Sequence, residues 1–535
     1  MDNRFYFGFN TSEERKKRRK AELYSMSEQV STFFWDEAPQ HGLEMREGQQ
    51  DMSFEIVDAL INDQHFAIEA GVGIGKSFGY LVPVLLYSKR MNKPVIIATS
   101  TIALQEQLWR DVHAVMPLLG LNRDVILAKG QTHYLCNKRA DEYMCDPKAD
   151  PPDALKEGIQ QGYEERKDFP EVLPQGVWDK VNVQRFSMKN CGSCEKKCKY
   201  YKVRAALKFT DGVVLCNQDF LTQHLMKLRR GQEGLINAAA DLLVVDEAHN
   251  LDDKVRSATT ERFGQGMLFG MIKSAFYELR SFDQSSVSGE KREAESAIIA
   301  FYNCLKAQVQ KQINEAEQDM RYADRFFFDN NGSAIELLTE MNAAIHNLSS
   351  SIQIYSSMDF RNNRSFAASD DLDAVSESLS ELLDRIDDML IWIEQHGSNT
   401  ELVYCPKNTK EIVSRLYFNG DERTILTSAT LTNATSGSLE EQYSYFISNT
   451  GFPAGDRGCL SEPKPSPYPY DEHAMIYYCD DLPHPTREHE AFIEKGVERL
   501  LEILSISNGK ALVLFTAKID MEEVYSICLL YTSDA

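Results

Sequence analysis

The stretch Glu69-Ala70-Gly71-Val72-Gly73-Ile74-Gly75-Lys76-Ser77 decides the fold. An apolar segment, residues 65–68, precedes it and predicts a strand, and a second apolar segment, residues 78–88, predicts a helix. Glycines let backbone N–H groups turn inward around phosphate oxygens, and the start of a helix adds partial positive charge. Strand, glycine-rich loop, lysine and helix together are typical of a P-loop, so we expect a nucleoside triphosphate to bind here.

Two side chains in the loop have predicted roles. Lys76 can reach the β- and γ-phosphates, and the Ser77 hydroxyl can coordinate Mg²⁺. Ala70 replaces the first glycine of the strict pattern, and a residue this small should fit the same turn. The alternative is a glycine-rich turn with an exposed lysine. The candidate nucleotide-binding residues of the loop are Ala70, Gly71, Val72, Gly73, Ile74, Gly75, Lys76 and Ser77.

Composition sets broad limits on the protein class. The chain has 535 residues, of which 43% are hydrophobic and 26% charged, as in ordinary globular proteins with several domains. No apolar run is long enough to cross a membrane and the N-terminus is polar, so we expect a cytoplasmic protein without a membrane partner. The net charge is −23. Nucleic acid would therefore bind only through a local basic groove.

Short apolar strands recur along the chain and alternate with helical segments. This order predicts an α/β fold with a parallel sheet and helices on both faces. The predicted strands after the first are residues 94–99, 125–128, 213–217, 242–245 and 424–430.

Two further patterns belong to the predicted nucleotide site. The apolar run Leu242 to Val245 delivers Asp246 and Glu247 at its carboxyl end, where open α/β sheets place ligands. We expect Asp246 to hold Mg²⁺ and Glu247 to polarise the attacking water, close in space to the P-loop. An acidic strand end facing solvent is the alternative. Upstream, an Arg-x-x-Gln pair, Arg46 and Gln49, could contact an adenine edge.

The chain has eleven cysteines, and a cytoplasmic location argues against disulfides, so a cluster of cysteines predicts a metal site. Cys191, Cys194 and Cys198 are spaced C-x2-C-x3-C, and Cys136 can supply a fourth thiolate. Four thiolates suit either zinc or an iron–sulfur cluster, and spacing does not separate the two. Scattered reduced cysteines are the alternative, and Cys145 is a weaker candidate ligand.

The rest of the chain divides into an insertion and a second unit. Residues 261–420 are rich in Glu, Asp, Ser and Leu, and helical periodicity, including residues 372–396, predicts a mostly α-helical domain with an acidic surface. Residues 453–469 are rich in proline and glycine and predict a linker. A second α/β unit then begins, with predicted strands at residues 474–478 and 511–515.

These motifs, in this order, resemble the DinG/XPD family of iron–sulfur superfamily 2 helicases, and the DinG-like bacterial members in particular. Arg46 and Gln49 resemble the adenine-side motif, residues 70–77 motif I and residues 246–249 the DEAH box of motif II. Ser428-Ala429-Thr430 resembles motif III, which couples hydrolysis to DNA movement. The resemblance implies that Cys136, Cys191, Cys194 and Cys198 hold a [4Fe–4S] cluster rather than zinc. It also implies 5′→3′ translocation on single-stranded DNA.

The resemblance implies a RecA-like parallel-sheet motor domain carrying an inserted iron–sulfur domain and an inserted helical arch, followed by the start of a second RecA-like domain. The expected boundaries are 1–40, an N-terminal helical extension; 41–129, 207–260 and 421–450, the first motor domain; 130–206, the cluster domain; 261–420, the arch; and 451–527, the second motor domain.

The chain departs from the family at its end. The family's second domain supplies arginines to the transferred phosphoryl group, and the last arginine here is Arg499, ahead of the expected motif. We therefore expect a C-terminally truncated chain that binds ATP weakly and hydrolyses it poorly. The final residues, 528–535, read as translated sequencing adapter, so we expect the natural sequence to end near Ile527.

The sequence therefore predicts part of an ATP-dependent DNA helicase that uses ATP, Mg²⁺ and a [4Fe–4S] cluster. Its expected partners are single-stranded DNA and duplex junctions, its expected role is in DNA repair or replication, and its expected state is a monomeric motor. One alternative is a single-strand-stimulated P-loop ATPase that translocates without unwinding. Another is a non-catalytic, metal-stapled DNA-binding protein.

Overall fold

A computed structural model describes residues 12–44, 46–170, 173–184, 186, 188–279, 284–315, 323–358 and 367–533. The chain divides into two compact units, Met1–Pro467 and Tyr468–Ala535. The strands, in chain order, are β1 His65–Glu69, β2 Val95–Thr99, β3 Val125–Leu127, β4 Val213–Asn217, β5 Leu242–Asp246, β6 Glu261–Gly264, β7 Arg325–Phe327, β8 Met389–His396, β9 Asn399–Pro406, β10 Arg423–Ser428 and β11 Gly458–Leu460.

Helices surround these strands. None of the helices within the described ranges is both long and apolar enough to cross a membrane. The helices, in chain order, are α1 Ser12–Thr32, α2 Ala38–Gln40, α3 Glu47–Ile61, α4 Lys76–Met91, α5 Ile102–Leu118, α6 Asn137–Cys145, α7 Asp153–Gln160, α8 Gln175–Val181, α9 Met188–Gly192, α10 Lys199–Phe209, α11 Gln218–Arg229, α12 Leu251–Ala258, α13 Gln265–Glu278, α14 Ser288–Glu315, α15 Gly332–Met358, α16 Ala367–Asp384, α17 Lys410–Tyr417, α18 Leu439–Gln442, α19 Ser444–Thr450, α20 Tyr470–His473, α21 His489–Ile506 and α22 Lys518–Ser533.

The predicted α/β fold is confirmed by a parallel sheet in the order β11-β1-β10-β5-β2-β4-β3. Its strands are nearly continuous apolar runs because both faces are covered. Along β2, Val95 and Ile97 face a core formed with α1, α3, α4 and α5, while Ile96 and Ala98 face a second core formed with α11, α12 and α17. Helices therefore pack on both faces, as the sequence predicted.

Residues 130–206, the predicted cluster domain, lie between β3 and β4 and contain α6 to α10. Two small apolar clusters fill this insertion, one around Trp178 and one around Cys198. The Lys129 ammonium, almost completely buried, contacts Glu106 Oε1 at 2.9 Å and Glu165 Oε2 at 3.0 Å. These two contacts join the insertion to α5, which packs on the parallel sheet.

The second insertion is less helical than the sequence predicted. Strands β6 to β9 form an antiparallel sheet in the order β6-β9-β8-β7, and α13 to α16 pack on it. The predicted helix at residues 372–396 is wrong in its second half, because α16 ends at Asp384 and residues 389–396 form β8. Ile391-Trp392-Ile393 favour a strand, and Gly397, at φ +61°, allows the tight turn into β9.

Two predicted boundaries of the motor domain also need correction. Helix α17 was assigned to the arch, but Val413 and Leu416 of α17 pack in the core on one face of the parallel sheet. Residues 451–467, assigned to the second motor domain, belong to the first unit, because β11 pairs in parallel with β1. The predicted linker at 453–469 therefore contains a strand, and this strand covers what would otherwise be an exposed edge.

The second unit differs from the prediction in its strands. Residues 474–478 and 511–515 are not strands in the described structure, and several of their apolar side chains are exposed, for example Ile476 at 95% and Leu514 at 83%. A strand needs a neighbouring strand for its backbone N–H and C=O groups, and neither segment has one among the described residues of this unit. The predicted adapter residues 528–533 complete α22, and residues 534–535 lie outside the described ranges.

The burial of His224 on α11 predicts that the free energy of unfolding of the first unit, Met1–Pro467, depends on pH. The residue is 1% exposed, its Nδ1 accepts hydrogen bonds from the N–H groups of Leu235 and Ile236, and burial lowers its pKa to about 4. Two cations that face it, Arg204 and Arg229, lower the pKa further. Between pH 6.5 and pH 4, His224 is protonated in the unfolded chain but neutral in the folded chain. The free energy of unfolding therefore falls as the pH drops from 6.5 towards 4.

We expect His224→Asn to remove part of this pH dependence, because the Asn carbonyl can accept the same bonds without titrating. From the shift in pKa, His224 contributes about 2 kcal/mol to the loss of unfolding free energy between pH 7.5 and pH 5. Urea denaturation of wild type and variant at the two pH values measures the difference. Equal losses in both proteins would contradict the prediction.

Candidate nucleotide-binding site

The sheet brings the two predicted halves of the site together. Strand β10 lies between β1 and β5, and all three are parallel, so their carboxyl ends meet at one edge. Glu69 at the end of β1 is level with Ser428, and Asp246 at the end of β5 is level with Thr427. The P-loop and the paired acids therefore face the same edge, where α/β sheets place ligands.

The loop between β1 and α4 has the backbone that its glycines predict. Gly73 and Gly75 have φ values of +90° and +87°, a region that side chains with a Cβ rarely adopt. A Cβ on Gly75 would also stand 2.4 Å from Gln49 Nε2. Ala70 is not among the residues with positive φ, is fully buried and donates its N–H to Ser428 O at 2.8 Å. The departure from the strict pattern therefore fits without strain.

The predicted adenine-side residues lie at the start of α3. Gln49 is buried and donates from Nε2 to the carbonyl oxygen of Gly75 at 2.9 Å, so it contacts the P-loop directly. Arg46 precedes α3 and pairs with Glu44 at 3.0 Å. The structure thus brings Gln49 into the site, while Arg46 makes its ion pair outside the P-loop.

Lys76, which directly follows the glycine-rich loop, lies close to the two acids at the end of β5, Asp246 and Glu247. Lys76 Nζ lies 2.9 Å from Glu247 Oε1. The Tyr80 hydroxyl, on the next turn of α4, is 3.4 Å from Asp246 Oδ2 and also bonds the Ser77 side chain. Burial raises the pKa of the Asp246 carboxyl to about 6, with Glu247 raising it and Lys76 lowering it. The site therefore concentrates one ammonium and two carboxylates at a single point.

Glu247 is held in an unusual conformation. Its φ of +56° and ψ of +48° are left-handed, which is uncommon for a residue with a long side chain. Its Oε2 accepts a hydrogen bond from Ser428 Oγ at 3.1 Å, and the His249 ring nitrogen Nδ1 is 2.6 Å from the same Oγ. His249, the last residue of the stretch that resembles the DEAH box, is thus linked to Glu247 through Ser428.

The sequence missed two contributors to the site. Glu69 Oε2 accepts hydrogen bonds from the N–H groups of Leu431 and Thr432, both at 2.6 Å, and from the Thr432 hydroxyl at 2.8 Å. Gln218, fully buried after β4, donates to the carbonyl oxygens of Asp246 and Glu247. Both residues follow or end a parallel strand, and this position is the signal that could have identified them.

The structure brings only some of the predicted metal ligands of the cluster domain close together. Cys136 and Cys198 precede α6 and α10 and share one apolar cluster. Burial raises the pKa of the Cys198 thiol, and the neighbouring thiols of Cys136 and Cys191 raise it further. Cys194 points its sulfur towards the Lys196 carbonyl at 3.6 Å. Across the described ranges, no three or more His, Cys, Asp or Glu side chains are arranged as a site that could hold a metal ion.

Comparison with known proteins gives matches along most of the chain. The DEAD_2 family model matches residues 132–266. "Probable ATP-dependent helicase YpvA" of Bacillus subtilis (strain 168) is 24% identical over 528 residues, covering 92% of this chain and 75% of the relative. "3′-5′ exonuclease DinG" of the same organism is 25% identical over 546 residues, covering 90% and 55%. "ATP-dependent DNA helicase YoaA" of Escherichia coli (strain K12) is 30% identical over 240 residues, covering 42% and 36%.

Among solved structures, the S. tokodaii Xpd4 structure matches with a TM-score of 0.43 and 14% identity, covering 90% of this chain and 73% of that one. The stretch that matches the DEAD_2 model contains the four candidate cluster cysteines as well as Asp246 and Glu247. The curated matches include proteins named as ATP-dependent helicases. The chain spans about half of the DinG relative and about a third of YoaA. The chain is therefore similar, along most of its length, to proteins named as ATP-dependent helicases and to DinG, and it contains a DEAD_2 match.

Proposed function

We propose that this chain carries the ATP-hydrolysing part of a DNA helicase that moves 5′→3′ along single-stranded DNA. The observation that carries the proposal is the contact of 2.9 Å between Lys76 Nζ and Glu247 Oε1. These two groups come from motifs 171 residues apart in the chain, and they meet beside a glycine-rich loop at the carboxyl edge of the sheet. A phosphate-binding cation next to a water-polarising carboxylate is the arrangement that hydrolysis of ATP needs.

In this proposal each residue has a defined task. Backbone N–H groups of the loop and the Lys76 ammonium bind the β- and γ-phosphates and stabilise the charge that develops on them. Glu247 orients the attacking water and accepts its proton, so that the bond between the γ-phosphorus and its bridging oxygen breaks to give ADP and phosphate. Ser428, the last residue of β10, donates to the Glu247 carboxylate, and His249 contacts the same Ser428 hydroxyl. Together these two residues hold the carboxylate at the edge of the sheet.

The predicted Mg²⁺ ligands fit a divalent cation. The Tyr80 hydroxyl is 3.4 Å from Asp246 Oδ2 and also bonds the Ser77 side chain, so both predicted ligands lie near the same hydroxyl. Oxygen donors of this kind are those that Mg²⁺ prefers. When bound, the cation would supply positive charge that neutralises the phosphates. Asp246, with its pKa raised by burial, is a carboxyl that a positive partner would stabilise in its ionised form.

The four cysteines are proposed to hold a [4Fe–4S] cluster that shapes residues 130–206 for contact with DNA. Cys136 and Cys198 share one apolar cluster, and the thiols of Cys136 and Cys191 raise the pKa of the Cys198 thiol, which supports a common centre. Thiolate sulfur is the usual ligand of such clusters, and four cysteines supply a complete set. The cluster domain would act as a wedge at a duplex junction, as the family resemblance implies.

A strand-displacement assay on the full-length form tests the proposed function. We expect single-stranded DNA to stimulate ATP hydrolysis and the protein to displace a strand paired to a 5′-tailed DNA. Stimulated hydrolysis without displacement would instead favour a translocase, and DNA binding with no hydrolysis would favour a metal-stapled binding protein. Displacement only from a 3′-tailed DNA would contradict the direction. Cytoplasmic location, a monomeric motor and a role in repair or replication are parts of the same proposal.

A further inference from the structure

We propose that Gln218 is a positioning residue that holds Glu247 in its reactive conformation, an inference that rests on the proposed function of Glu247. Gln218 is the first residue of α11, directly after β4, and no part of its side chain is exposed. Its Nε2 group donates to Asp246 O at 2.7 Å and to Glu247 O at 3.1 Å. One side-chain amide thus binds both backbone carbonyls of the paired acids.

The backbone at these carbonyls needs support. Glu247 has a left-handed backbone, a conformation that persists only where the surroundings impose it. Its side chain at the same time contacts Lys76 and Ser428. If φ of Glu247 relaxed to a negative value, the carboxylate would leave both partners. The two bonds from Gln218 fix the peptide groups on either side of that φ.

The donor half of the Gln218 amide is what supports this role. Its Oε1 is buried and has no hydrogen-bond partner among the described residues. A leucine would remove that unpaired acceptor, but it would leave the carbonyl oxygens of Asp246 and Glu247 without their Gln218 donor. The two donated bonds are therefore what a glutamine adds at this position.

The chain contains a closely matched residue for comparison. Gln105 on α5 is also fully buried, donates from Nε2 to two carbonyl oxygens, of Ala128 at 2.8 Å and Leu215 at 2.9 Å, and has a buried Oε1 without a partner among the described residues. These carbonyls lie at β3 and β4, not at the paired acids. Substitution of Gln105 removes the same kind of contact without touching Glu247.

The test compares Gln218→Leu, Gln218→Glu and Gln105→Leu in the full-length form. We expect both Gln218 variants to lower kcat for ATP about 10- to 100-fold, as misplaced catalytic groups do, while KM for ATP changes less than about 3-fold. Gln105→Leu should keep kcat within about 2-fold of wild type. The near-isosteric Gln218→Glu decides the outcome if the leucine variant does not fold. A kcat for Gln218→Glu within about 2-fold of wild type, or no lower than that of Gln105→Leu, would overturn the inference.

A crystal structure of Gln218→Glu separates this inference from the proposed function. We expect Glu247 in that structure to have lost its left-handed φ and its contact with Lys76. An unchanged Glu247 would refute the positioning role whatever the activity. Absence of hydrolysis in wild type, with Glu247 relaxed in the variant, would refute the proposed function and leave the positioning role standing as a structural one.

Discussion

Glu247→Gln should keep nucleotide bound while lowering the rate of ATP hydrolysis about 1,000-fold, within the range seen for general bases. The amide can still accept a hydrogen bond from Ser428, so the loop between β5 and α12 should keep its shape. It cannot take a proton from the attacking water. It also removes the negative charge that Lys76 now faces at 2.9 Å, which leaves the ammonium free to bind phosphate. We therefore expect equal or tighter binding of a fluorescent ATP analogue.

Single-turnover hydrolysis and equilibrium binding, measured side by side in the full-length form, separate these two effects. Glu394→Gln is a suitable control, because Glu394 is, like Glu247, a carboxylate in ion pairs, here with Arg262 and Arg325. It lies in the antiparallel sheet of the second insertion. The control should hydrolyse ATP at close to the wild-type rate. Retention of more than a tenth of the wild-type rate by Glu247→Gln would show that Glu247 is not the general base.

The parallel sheet could be predicted because its strands carry the signal in consecutive residues. Strands covered on both faces are continuous apolar runs. The predicted strand at residues 213–217 therefore has the bounds of β4, and the predicted strand at residues 242–245 is one residue shorter than β5. The meeting of Lys76 with Glu247 followed from the same rule, since parallel strands put their carboxyl ends on one edge. Local pattern and long-range topology agree here, and prediction succeeds where they agree.

Elsewhere the local pattern did not determine the structure. Residues 389–396 continue the apolar spacing of α16, so the periodicity misled; the turn at Gly397 and pairing with β9 select the strand that Ile391-Trp392-Ile393 favour. Strand β11 has three residues in a proline- and glycine-rich stretch and exists because β1 offers an open edge. The contacts of Glu69 and Gln218 are to backbone groups distant in sequence. No motif records such contacts, because any residue can supply a backbone N–H or C=O.

Cys198→Ser should abolish the proposed cluster and strand displacement together. Cys198 is the most buried of the four candidate ligands and directly precedes α10, so its loss would remove the ligand on the interior side of the proposed cluster. We expect iron to fall from about four atoms per chain to less than one, and the broad visible absorbance to disappear. ATP hydrolysis without DNA should remain, because the nucleotide site is built on β1, β5 and β10 rather than on residues 130–206.

Cys145→Ser is the matched control, since Cys145 is an exposed cysteine of the same insertion at the end of α6. It should keep wild-type iron, colour and displacement. Iron content and absorbance, measured on protein purified without air, test the metal assignment independently of any activity. A colourless wild-type protein that contains zinc would replace the iron–sulfur proposal with a zinc site. Wild-type iron in Cys198→Ser would remove Cys198 from the ligand set, and loss of iron in Cys145→Ser would place Cys145 in it.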